Sequence, residues 1–388
     1  MLIFHYIKIY IKILIACLKT FGFGTFFLYY LYKIPLKIVY FRFFLFLDNV
    51  FFYRFRRIKI ENPIFIVGHP RSATTFFHEI LRQTDDFLVY QKWDLIHPAL
   101  TERWILPHSS IFRIFHSFFI SELRLTPHRI KTLLKSKTSS KGLAQKQNRK
   151  FETIAKEEEL LFLHTLDTQF LAMETPLGFD ENGYPEICFN DEQPHQEKSV
   201  LFFKNCLKRQ IYITGKKQII AKMNFSLFRV KTLLKIFPDA KFIYIARSPL
   251  ETIPSHLSLH RGIIDRCFGL DNIPADKLQQ YFKNRYQYNI EFYKHFEALK
   301  KNNVIPEDRL LEISYDEIKN DLWEVVERTK NFGELEFTHE LEKNLKKQSN
   351  AQSDYKRKHK NFPLEQFNLT EEKIRSDFDF VFKRYGFK

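Results

Sequence analysis

The alternation of apolar and polar segments along the chain predicts a sheet of short buried strands. Residues 64–67 and 241–246 are almost wholly apolar, and residues 218–223 and 310–314 contain similar runs. Continuous apolar runs of this length are typical of parallel strands that are buried on both faces. A helical pattern follows each run. Strands that alternate with helices predict an α/β fold with a mostly parallel sheet flanked by helices.

The segments between the strands have less regular patterns. We predict a helix over 226–237 and a helical segment over 151–170. Residues 129–150 are polar and basic without an acidic residue, which is typical of a mobile connection, and residues 178–197 have a loop-like composition. The stretch from Glu340 onward is charged and helical, so we expect it to wrap around the outside of the domain.

The N-terminal part of the chain is unusually apolar. We predict an apolar helical region over 1–57, which extends a single domain over 58–388. The run 13–32 contains twenty residues and one charge, Lys19, so its length suits a single membrane span. Lysine and arginine on both sides of the run give no orientation, and no cleavage site indicates a secretory signal. The alternative is a pair of apolar helices that pack on the rest of the chain or lie in a membrane interface.

Composition narrows the choice of partners and compartment. The chain has 388 residues, a formal net charge of +16 and 45% hydrophobic residues, which excludes a wholly disordered chain. The charge fits an anionic membrane surface or a small polyanionic substrate. Nucleic acid is not expected, because no zinc-finger or RNA-binding motif is present. Four scattered cysteines (Cys17, Cys188, Cys206 and Cys267) disfavour a disulfide framework and a zinc site. We therefore predict a cytoplasmic protein, or a membrane-associated one that faces the cytoplasm.

Residues 63–76, with the sequence PIFIVGHPRSATTF, run from a buried strand through a tight loop into a helix. The first turn of a helix directs unpaired N–H groups outward, and these groups together with the helix dipole bind anions. Ser72, Thr74 and Thr75 add hydroxyl donors, and Arg71 adds a cation with a planar set of donors. A nucleoside triphosphate loop would have lysine where Thr74 stands. The earlier position of the cation therefore favours a phosphosulfate over the triphosphate of a kinase or NTPase.

This segment resembles the 5′-phosphosulfate-binding loop of the sulfotransferase family, in the branch whose loop reads roughly P-x-F-I-V-G-x-P-R-S-G-T-T-F. The resemblance implies a P-loop-like fold and the co-substrate 3′-phosphoadenosine 5′-phosphosulfate (PAPS). It also implies a binding role for Arg71, Ser72, Ala73, Thr74, Thr75 and Phe76, and a catalytic role for Arg71. Ala73 replaces the usual glycine, and we expect the φ angle to stay negative there.

A second segment, 241–255, resembles the family's site for the 3′-phosphate, with an arginine at a strand end and a serine eight residues later. Here these residues are Arg247 and Ser255. Ser248 and Glu251 have the spacing of a capping box at the start of the following helix. The end of the strand is also where ligands bind in open α/β sheets. The resemblance therefore assigns Arg247 and Ser255 to PAPS.

The resemblance also indicates residues for the transfer step. Lys222, at the end of a predicted strand, matches a family lysine that faces the sulfonate or the acceptor. An acceptor hydroxyl needs a proton acceptor, and Asp94 occupies the position of the family's catalytic glutamate. The triplet Glu157–Glu159 is the second candidate for the base, and His97 is the third.

Together these residues predict a sulfotransferase. PAPS would bind across the C-terminal edge of the sheet, and the sulfuryl group would pass to a hydroxylated small molecule, lipid or glycan. The product would be adenosine 3′,5′-bisphosphate. No pair of carboxylates resembles a magnesium site, so we expect no metal. The alternatives are a P-loop kinase or NTPase, and a membrane-associated protein that binds PAPS without catalysis.

Overall fold

The computed structural model describes residues 2–84, 86–109, 126–129, 131–132, 155, 157–181, 193–352 and 360–387. Within these residues a sheet of four parallel strands has the order β2-β1-β3-β4. The strands are β1 (Ile64–Val67), β2 (Ile220–Lys222), β3 (Lys241–Ala246) and β4 (Leu310–Ser314). The predicted parallel sheet is therefore confirmed, and β1, β3 and β4 have the predicted bounds.

The α-helices of the described residues are numbered in chain order. They are α1 (Leu2–Phe21), α2 (Thr25–Phe51), α3 (Thr74–Leu81), α4 (Lys92–Ile96), α5 (Leu100–His108), α6 (Phe170–Glu174), α7 (Gln196–Thr214), α8 (Val230–Ile236), α9 (Pro249–Phe268), α10 (Ala275–Lys301), α11 (Tyr315–Asn320), α12 (Leu322–Gly333), α13 (His339–Gln352), α14 (Glu371–Asp377) and α15 (Asp379–Tyr385). Short 3₁₀-helices are Tyr53–Arg57, Glu158–Thr165, Pro176–Phe179, Asn224–Arg229, Leu270–Asn272, Glu307–Arg309 and Leu364–Phe367.

Helices cover both faces of the sheet, which explains why its strands are apolar throughout. Successive side chains of a strand point to opposite faces. Phe65 and Val67 of β1 accordingly pack in a cluster with α7, α8 and α10. Ile64 and Ile66 pack on the other face with α3, α12 and α13. All four side chains are fully buried, and the sheet forms the middle layer of a three-layer α/β domain.

Two predicted helical segments take a tighter form. The segment 226–237 begins as the 3₁₀-helix Asn224–Arg229 and becomes α-helical only at Val230. The described part of 151–170 likewise contains the 3₁₀-helix Glu158–Thr165. The two 3₁₀-helices contact each other, and Glu159 of one accepts a hydrogen bond of 2.8 Å from the backbone N–H of Phe225 in the other. Residues 133–150 and 182–192 lie outside the described residues.

Residues 2–51 form two helices, α1 and α2, and the turn between them; the two helices contact each other and are called the N-terminal hairpin below. The turn at Gly22–Gly24 divides the apolar run 13–32 between them. In the part of the chain that the structure describes, we find no helix both long and apolar enough to cross a membrane. The inner face of α1 belongs to a hydrophobic cluster that also includes Leu177 and Phe268. The boundary between 1–57 and 58–388 remains a prediction.

Asp48 joins the end of the hairpin to the domain. Its carboxylate is fully buried and accepts hydrogen bonds from the backbone N–H groups of Leu100 and Thr101, at 3.0 and 2.8 Å. It also accepts one from Nε of Arg209 at 2.7 Å. The N-cap residue of α5 is Ala99, whose side chain cannot accept a hydrogen bond, so Asp48 caps α5 from another helix.

Candidate active site

The loop after β1 contains three residues with positive φ angles, and one of them is a glycine. Gly68 has φ +148°, and a Cβ there would lie 2.9 Å from the carbonyl oxygen of Ile245 in β3. Arg71 and Ala73 have φ angles of 81° and 69°. The expectation of a negative φ at Ala73 was therefore wrong. Ala73 is the N-cap of α3, and a left-handed residue here turns the loop into the helix.

The start of α3 forms the floor of a cradle. The first bond of α3 runs from the N–H of Phe77 to the oxygen of Ala73, at 3.0 Å. The N–H groups before it lie in the first turn, which has no intrahelical acceptors. Ser72 is fully buried, and its Oγ has no hydrogen-bond partner among the described residues. A buried hydroxyl normally has a partner, so a ligand oxygen in the cradle would satisfy Ser72.

The fold brings the two predicted phosphate-binding segments together. Arg71 Nε donates a hydrogen bond of 2.9 Å to Oγ of Ser255. Arg247 Nη1 donates one of 3.0 Å to the backbone oxygen of Arg71. Arg71 and Ser255 are 184 residues apart in the chain, yet they meet because β1 and β3 are neighbours in the sheet. Two cations and several hydroxyl donors thus converge at one edge of the sheet.

Arg247 is held in place by aromatic and acidic neighbours. Its guanidinium carbon lies 3.6 Å from the ring centroid of Tyr315, and its Nη2 lies 2.8 Å from Oε1 of Glu251. The hydroxyl of Tyr293 donates to the backbone oxygen of Arg247 at 3.1 Å. The predicted capping box is not formed. Ser248 is the N-cap of α9 without a side-chain hydrogen bond, because Glu251 binds Arg247 instead.

Lys222 connects the cradle to the glutamate triplet. It ends β2, the neighbour of β1, and its side chain is 5% exposed. Its Nζ donates a hydrogen bond of 2.8 Å to Oγ1 of Thr75 and lies 3.1 Å from Oε2 of Glu157. The lysine that the sequence indicates is therefore in direct contact with the second residue of α3.

The three glutamates have different partners. Oε1 of Glu158 accepts a hydrogen bond of 2.6 Å from Arg82, and Oε2 accepts one of 2.9 Å from the backbone N–H of Lys222. Burial raises the pKa of this carboxyl, although Arg82 opposes the change. Glu159 accepts from Phe225, and burial raises its pKa to about 7. Glu157 differs, because its Oε1 has no hydrogen-bond partner in the described parts of the chain. Of the triplet, Glu157 alone has a carboxylate oxygen available for another group.

Asp94 and His97 lie in contacts of another kind. Oδ2 of Asp94 accepts a hydrogen bond of 2.8 Å from the backbone N–H of Gln91 at the start of α4, and Oδ1 lies 3.2 Å from Nη1 of Arg103. His97 is fully buried with Nδ1 at 2.7 Å from Glu102, and burial lowers its pKa well below 6.5. These contacts tie α4 to α5, whereas Glu157 keeps one carboxylate oxygen without a hydrogen bond among the described residues.

A buried chain of side chains behind the loop was not predicted. Asn289 Oδ1 lies 2.6 Å from Nε2 of His69 and 2.8 Å from Nδ1 of His256. His256 Nε2 lies 2.9 Å from Nε2 of His260, whose Nδ1 lies 2.6 Å from the hydroxyl of Tyr281. Burial lowers the pKa of His69 to about 4, and it lowers the pKa values of His256 and His260 well below 6.5. Neutral rings in this order hold the loop residue His69 against α9 and α10. The i, i+4 spacing of the two histidines on α9 was the one sequence signal.

Metal-binding geometry is absent from the described residues, in which no group of three His, Cys, Asp or Glu side chains could hold an ion. Cys17, Cys206 and Cys267 are buried and form no disulfide among the described residues, and Cys188 lies outside these residues.

Solved structures share this architecture. The sulfotransferase STF1 from Mycobacterium tuberculosis H37Rv superposes with a TM-score of 0.65 at 15% identity, over 96% of this chain and 92% of that one. The sulfotransferase STF9 from Mycobacterium avium superposes with a TM-score of 0.62 at 18% identity, over 89% of this chain and 82% of that one. At these identities the likeness shows the fold.

Sequence comparison identifies the family as well as the fold. The omega-hydroxy-beta-dihydromenaquinone-9 sulfotransferase Stf3 of Mycobacterium bovis, and the protein of that name from Mycobacterium tuberculosis, are 25% identical over 268 residues. The match spans 67% of this chain and 60% of the length of these relatives. The sequence profile described as "Sulfotransferase family" matches residues 63–339, from the start of the loop segment to the start of α13. Because this match covers more than half of the chain, the protein belongs to the sulfotransferase family.

Proposed function

We propose that this protein transfers a sulfuryl group from PAPS to the hydroxyl of an acceptor. The observation that carries the proposal is the convergence of Arg71, Ser255 and Arg247 at one sheet edge. A single phosphate needs one anion site, whereas PAPS carries a 5′-phosphosulfate and a separate 3′-phosphate. Two adjacent cationic segments on neighbouring strands suit a ligand with two anionic groups.

The loop and the start of α3 would bind the 5′-phosphosulfate. Backbone N–H groups of Thr74, Thr75 and Phe76, the hydroxyl of Ser72 and the guanidinium of Arg71 are the donors available there. Arg247 and Ser255 would bind the 3′-phosphate. The ion pair of Arg247 with Glu251 keeps the guanidinium at the sheet edge before the ligand arrives, which reduces the entropy lost on binding.

Glu157 is the proposed base and Lys222 the proposed electrophilic group. The acceptor oxygen attacks sulfur while its proton passes to Glu157, and the bond between sulfur and the bridging phosphate oxygen breaks. Adenosine 3′,5′-bisphosphate leaves with the negative charge on its phosphate. Lys222 contacts both Thr75 and Glu157, so its ammonium would stabilise charge on the sulfuryl oxygens between base and donor.

A hydroxylated lipid is the proposed acceptor class. The curated relatives are named for an omega-hydroxylated menaquinone. At 25% identity this supports a lipid acceptor over a glycan or a small alcohol, without fixing the head group or the chain.

The donor assignment is tested by turnover of PAPS labelled in the sulfuryl group, with pools of hydroxylated lipids, glycans and alcohols as acceptors. Arg71→Ala should lower turnover by two or more orders of magnitude, about the loss seen when one donor to a transition-state oxyanion is removed. Arg247→Ala should weaken binding of adenosine 3′,5′-bisphosphate in calorimetry. Arg266→Ala, at the exposed far end of α9, is the matched control. Unchanged affinity in Arg247→Ala, or preference for ATP with Mg²⁺ over PAPS, would contradict the assignment.

The base assignment has its own matched pair. Glu157→Gln should lower kcat by about 10²-fold to 10⁴-fold, the range for general bases, while the affinity for adenosine 3′,5′-bisphosphate stays unchanged. Asp94→Asn should affect stability more than kcat, because Asp94 holds α4 and α5 together. The reverse outcome, with kcat lost only in Asp94→Asn, would restore the original assignment of Asp94.

A further inference from the structure

The outer surface of the N-terminal hairpin is exposed and apolar. Among the described residues, 16 of the 22 large hydrophobic side chains with high exposure lie between Ile3 and Tyr53. Phe23, at the turn between the helices, is 77% exposed, and Phe43 and Phe46 on α2 are 54% and 62% exposed. Soluble monomers rarely expose a continuous apolar surface of this extent, so a partner for it is expected.

The helices of the hairpin are apolar on two opposite faces. In α1, Ile9 and Ile13 are fully buried against the domain, whereas Ile7 and Ile11 are about half exposed. At about 100° per residue these two pairs lie on opposite sides of the helix. A helix at the surface of a globular protein normally has a polar outer face. The outer face of α1 and α2 therefore has the character of a second buried face.

Contacts on the inner face fix how the hairpin lies. The hydroxyl of Tyr6 donates a hydrogen bond of 2.8 Å to the backbone oxygen of His164. The hydroxyl of Tyr30 donates one of 3.0 Å to the backbone oxygen of Glu174. Asp48 ties the end of α2 to α5. Both helices thus lie along the domain, with their outer face directed away from it. This is the arrangement of helices that lie in the plane of a membrane interface.

The charge of this region identifies the partner. Residues 1–60 contain ten Lys and Arg residues and one acidic residue, Asp48, which is buried and bonded to Arg209. Lys8 and Lys19 are exposed beside the apolar stripe of α1, and Arg54, Arg56 and Arg57 are exposed directly after α2. Positive charge beside an apolar surface complements anionic lipid head groups above acyl chains. A second copy of the same surface would bring like charges together.

We propose that the N-terminal hairpin docks the protein on an anionic membrane, with its outer face in the interface and its lysines and arginines on lipid phosphates. The inference about docking is independent of sulfuryl transfer. Its consequence for the acceptor rests on the proposed function.

That consequence comes from a pocket beneath α2. Ile34, Lys37 and Phe41 of α2 line a narrow pocket of about 10 Å³, the size of a single water molecule, together with Leu163 and its neighbours. Leu163 lies in the 3₁₀-helix that follows Glu157. At about 2 Å per residue, this helix places the pocket roughly 12 Å from the proposed base. The docked hairpin would therefore hold the proposed base close to the membrane surface, so that a lipid acceptor would be presented by the same membrane.

Docking is tested by sedimentation of the full chain with vesicles. Vesicles of phosphatidylcholine alone are compared with vesicles in which about a third of the lipid is phosphatidylglycerol. The protein should bind the anionic vesicles, and added salt should weaken binding because it screens the charges. The double substitution Phe43→Ser and Phe46→Ser should weaken binding at least about tenfold, since it removes apolar area from the interface.

The matched control changes equally apolar residues elsewhere. Leu201 and Leu259 are 42% and 39% exposed on α7 and α9, and their joint replacement by serine should leave vesicle binding unchanged. Thermal unfolding of both variants checks that the fold is intact. Equal binding by the Phe43 and Phe46 variant and the parent would overturn the proposal, as would failure of the parent to bind. A dimer in solution that this variant dissociates would assign the surface to a second copy instead, and would also overturn it.

Separate readouts distinguish the two proposals. Vesicle binding by a protein that does not turn over PAPS would contradict only the proposed function. If both hold, the Phe43 and Phe46 variant should lose turnover on a hydroxylated lipid in anionic vesicles, but keep turnover on a short-chain, water-soluble alcohol. Equal loss on both acceptors would contradict presentation of the acceptor by the membrane.

Discussion

Replacement of Glu159 by glutamine should remove part of the pH dependence of stability between pH 4.5 and 7. Glu159 is fully buried. One of its carboxylate oxygens accepts a hydrogen bond of 2.8 Å from the backbone N–H of Phe225, and the other lies 2.6 Å from Oγ of Ser226. Burial raises the pKa of its carboxyl from 4.5 to about 7, although Arg229 opposes the change. Below pH 7 the folded protein therefore keeps this carboxyl protonated, and its O–H can donate to Ser226.

The magnitude follows from proton linkage. Between 4.5 and about 7 the folded state binds a proton that the unfolded state has lost. Stability from this group is thus fully present below pH 4.5 and is lost as the pH rises through about 7. Over this interval, at 1.36 kcal/mol for each pH unit, the loss is about 3 kcal/mol. Glutamine has the shape and hydrogen bonds of the protonated acid, so the variant should gain about 3 kcal/mol relative to the parent across the interval.

Arg229 opposes the effect of burial on Glu159 only in part, because two carboxylates share its guanidinium. Arg229 lies 3.4 Å from the carboxylate of Asp167 and 3.7 Å from that of Glu159. Burial alone would raise the pKa of Asp167, but Arg229 and His195 lower it below its usual range. One cation is therefore balanced by one carboxylate, and the second carboxyl stays neutral. Asp167→Asn should consequently lower the pKa of Glu159 and remove its contribution to the pH dependence.

The assay is urea unfolding of the parent and Glu159→Gln, followed by tryptophan fluorescence at intervals between about pH 5 and pH 8. Buried histidines such as His69, with a pKa of about 4, destabilise both proteins in acid. Because their effect is common to both, the difference between the two curves isolates Glu159. Parallel curves across the interval would show that the carboxyl is already ionised in the folded protein, and would refute the reasoning.

Two further substitutions test the anchor and the loop. Asp48→Asn should lower the free energy of unfolding by about 3–5 kcal/mol, because it leaves the buried guanidinium of Arg209 without its counter-charge; a change below about 1 kcal/mol in urea unfolding would contradict the anchor. Ala73→Gly should raise the free energy of unfolding by about 0.5–1 kcal/mol, because relief of the left-handed alanine exceeds the entropy that glycine adds to the unfolded chain. An unchanged or lower melting temperature would count against a left-handed Ala73.

The sequence was most informative where the chain is buried and regular. Apolar runs identified the strands, since a parallel strand covered on both faces has no polar side. The order strand, loop, helix identified the start of α3, because the physics of a helix N-terminus is local. The meeting of Arg71 with Ser255 could be expected from the resemblance, but the distance depends on β1 lying next to β3. Neighbours in a sheet are set by the whole fold.

The features that the sequence left open, missed or misjudged depend on tertiary context. The run 13–32 has the composition of a span, yet Gly22 and Gly24 at its centre mark the turn that divides it. Ala73 takes a left-handed conformation because the chain on both sides is fixed by β1 and α3, which outweighs the local preference of alanine. The role of Asp48 was missed, although a single acidic residue in 60 otherwise basic or uncharged positions was a signal in the sequence.

The glutamate triplet shows why the choice of a base needed the structure. On an α-helix, consecutive residues point in directions about 100° apart, so the sequence could say only that one or two of the three face inward. The 3₁₀-helix and the strand beside it use Glu158 and Glu159 as anchors, one on the N–H of Lys222 and the other on the N–H of Phe225. Lys222 then extends its ammonium to Glu157, the remaining carboxylate. The same lysine thus fixes the helix through its backbone and the proposed base through its side chain. It follows that the proposed base, the lysine and the cradle form one rigid unit, so a change of acceptor would require changes in the surrounding segments and leave this unit intact.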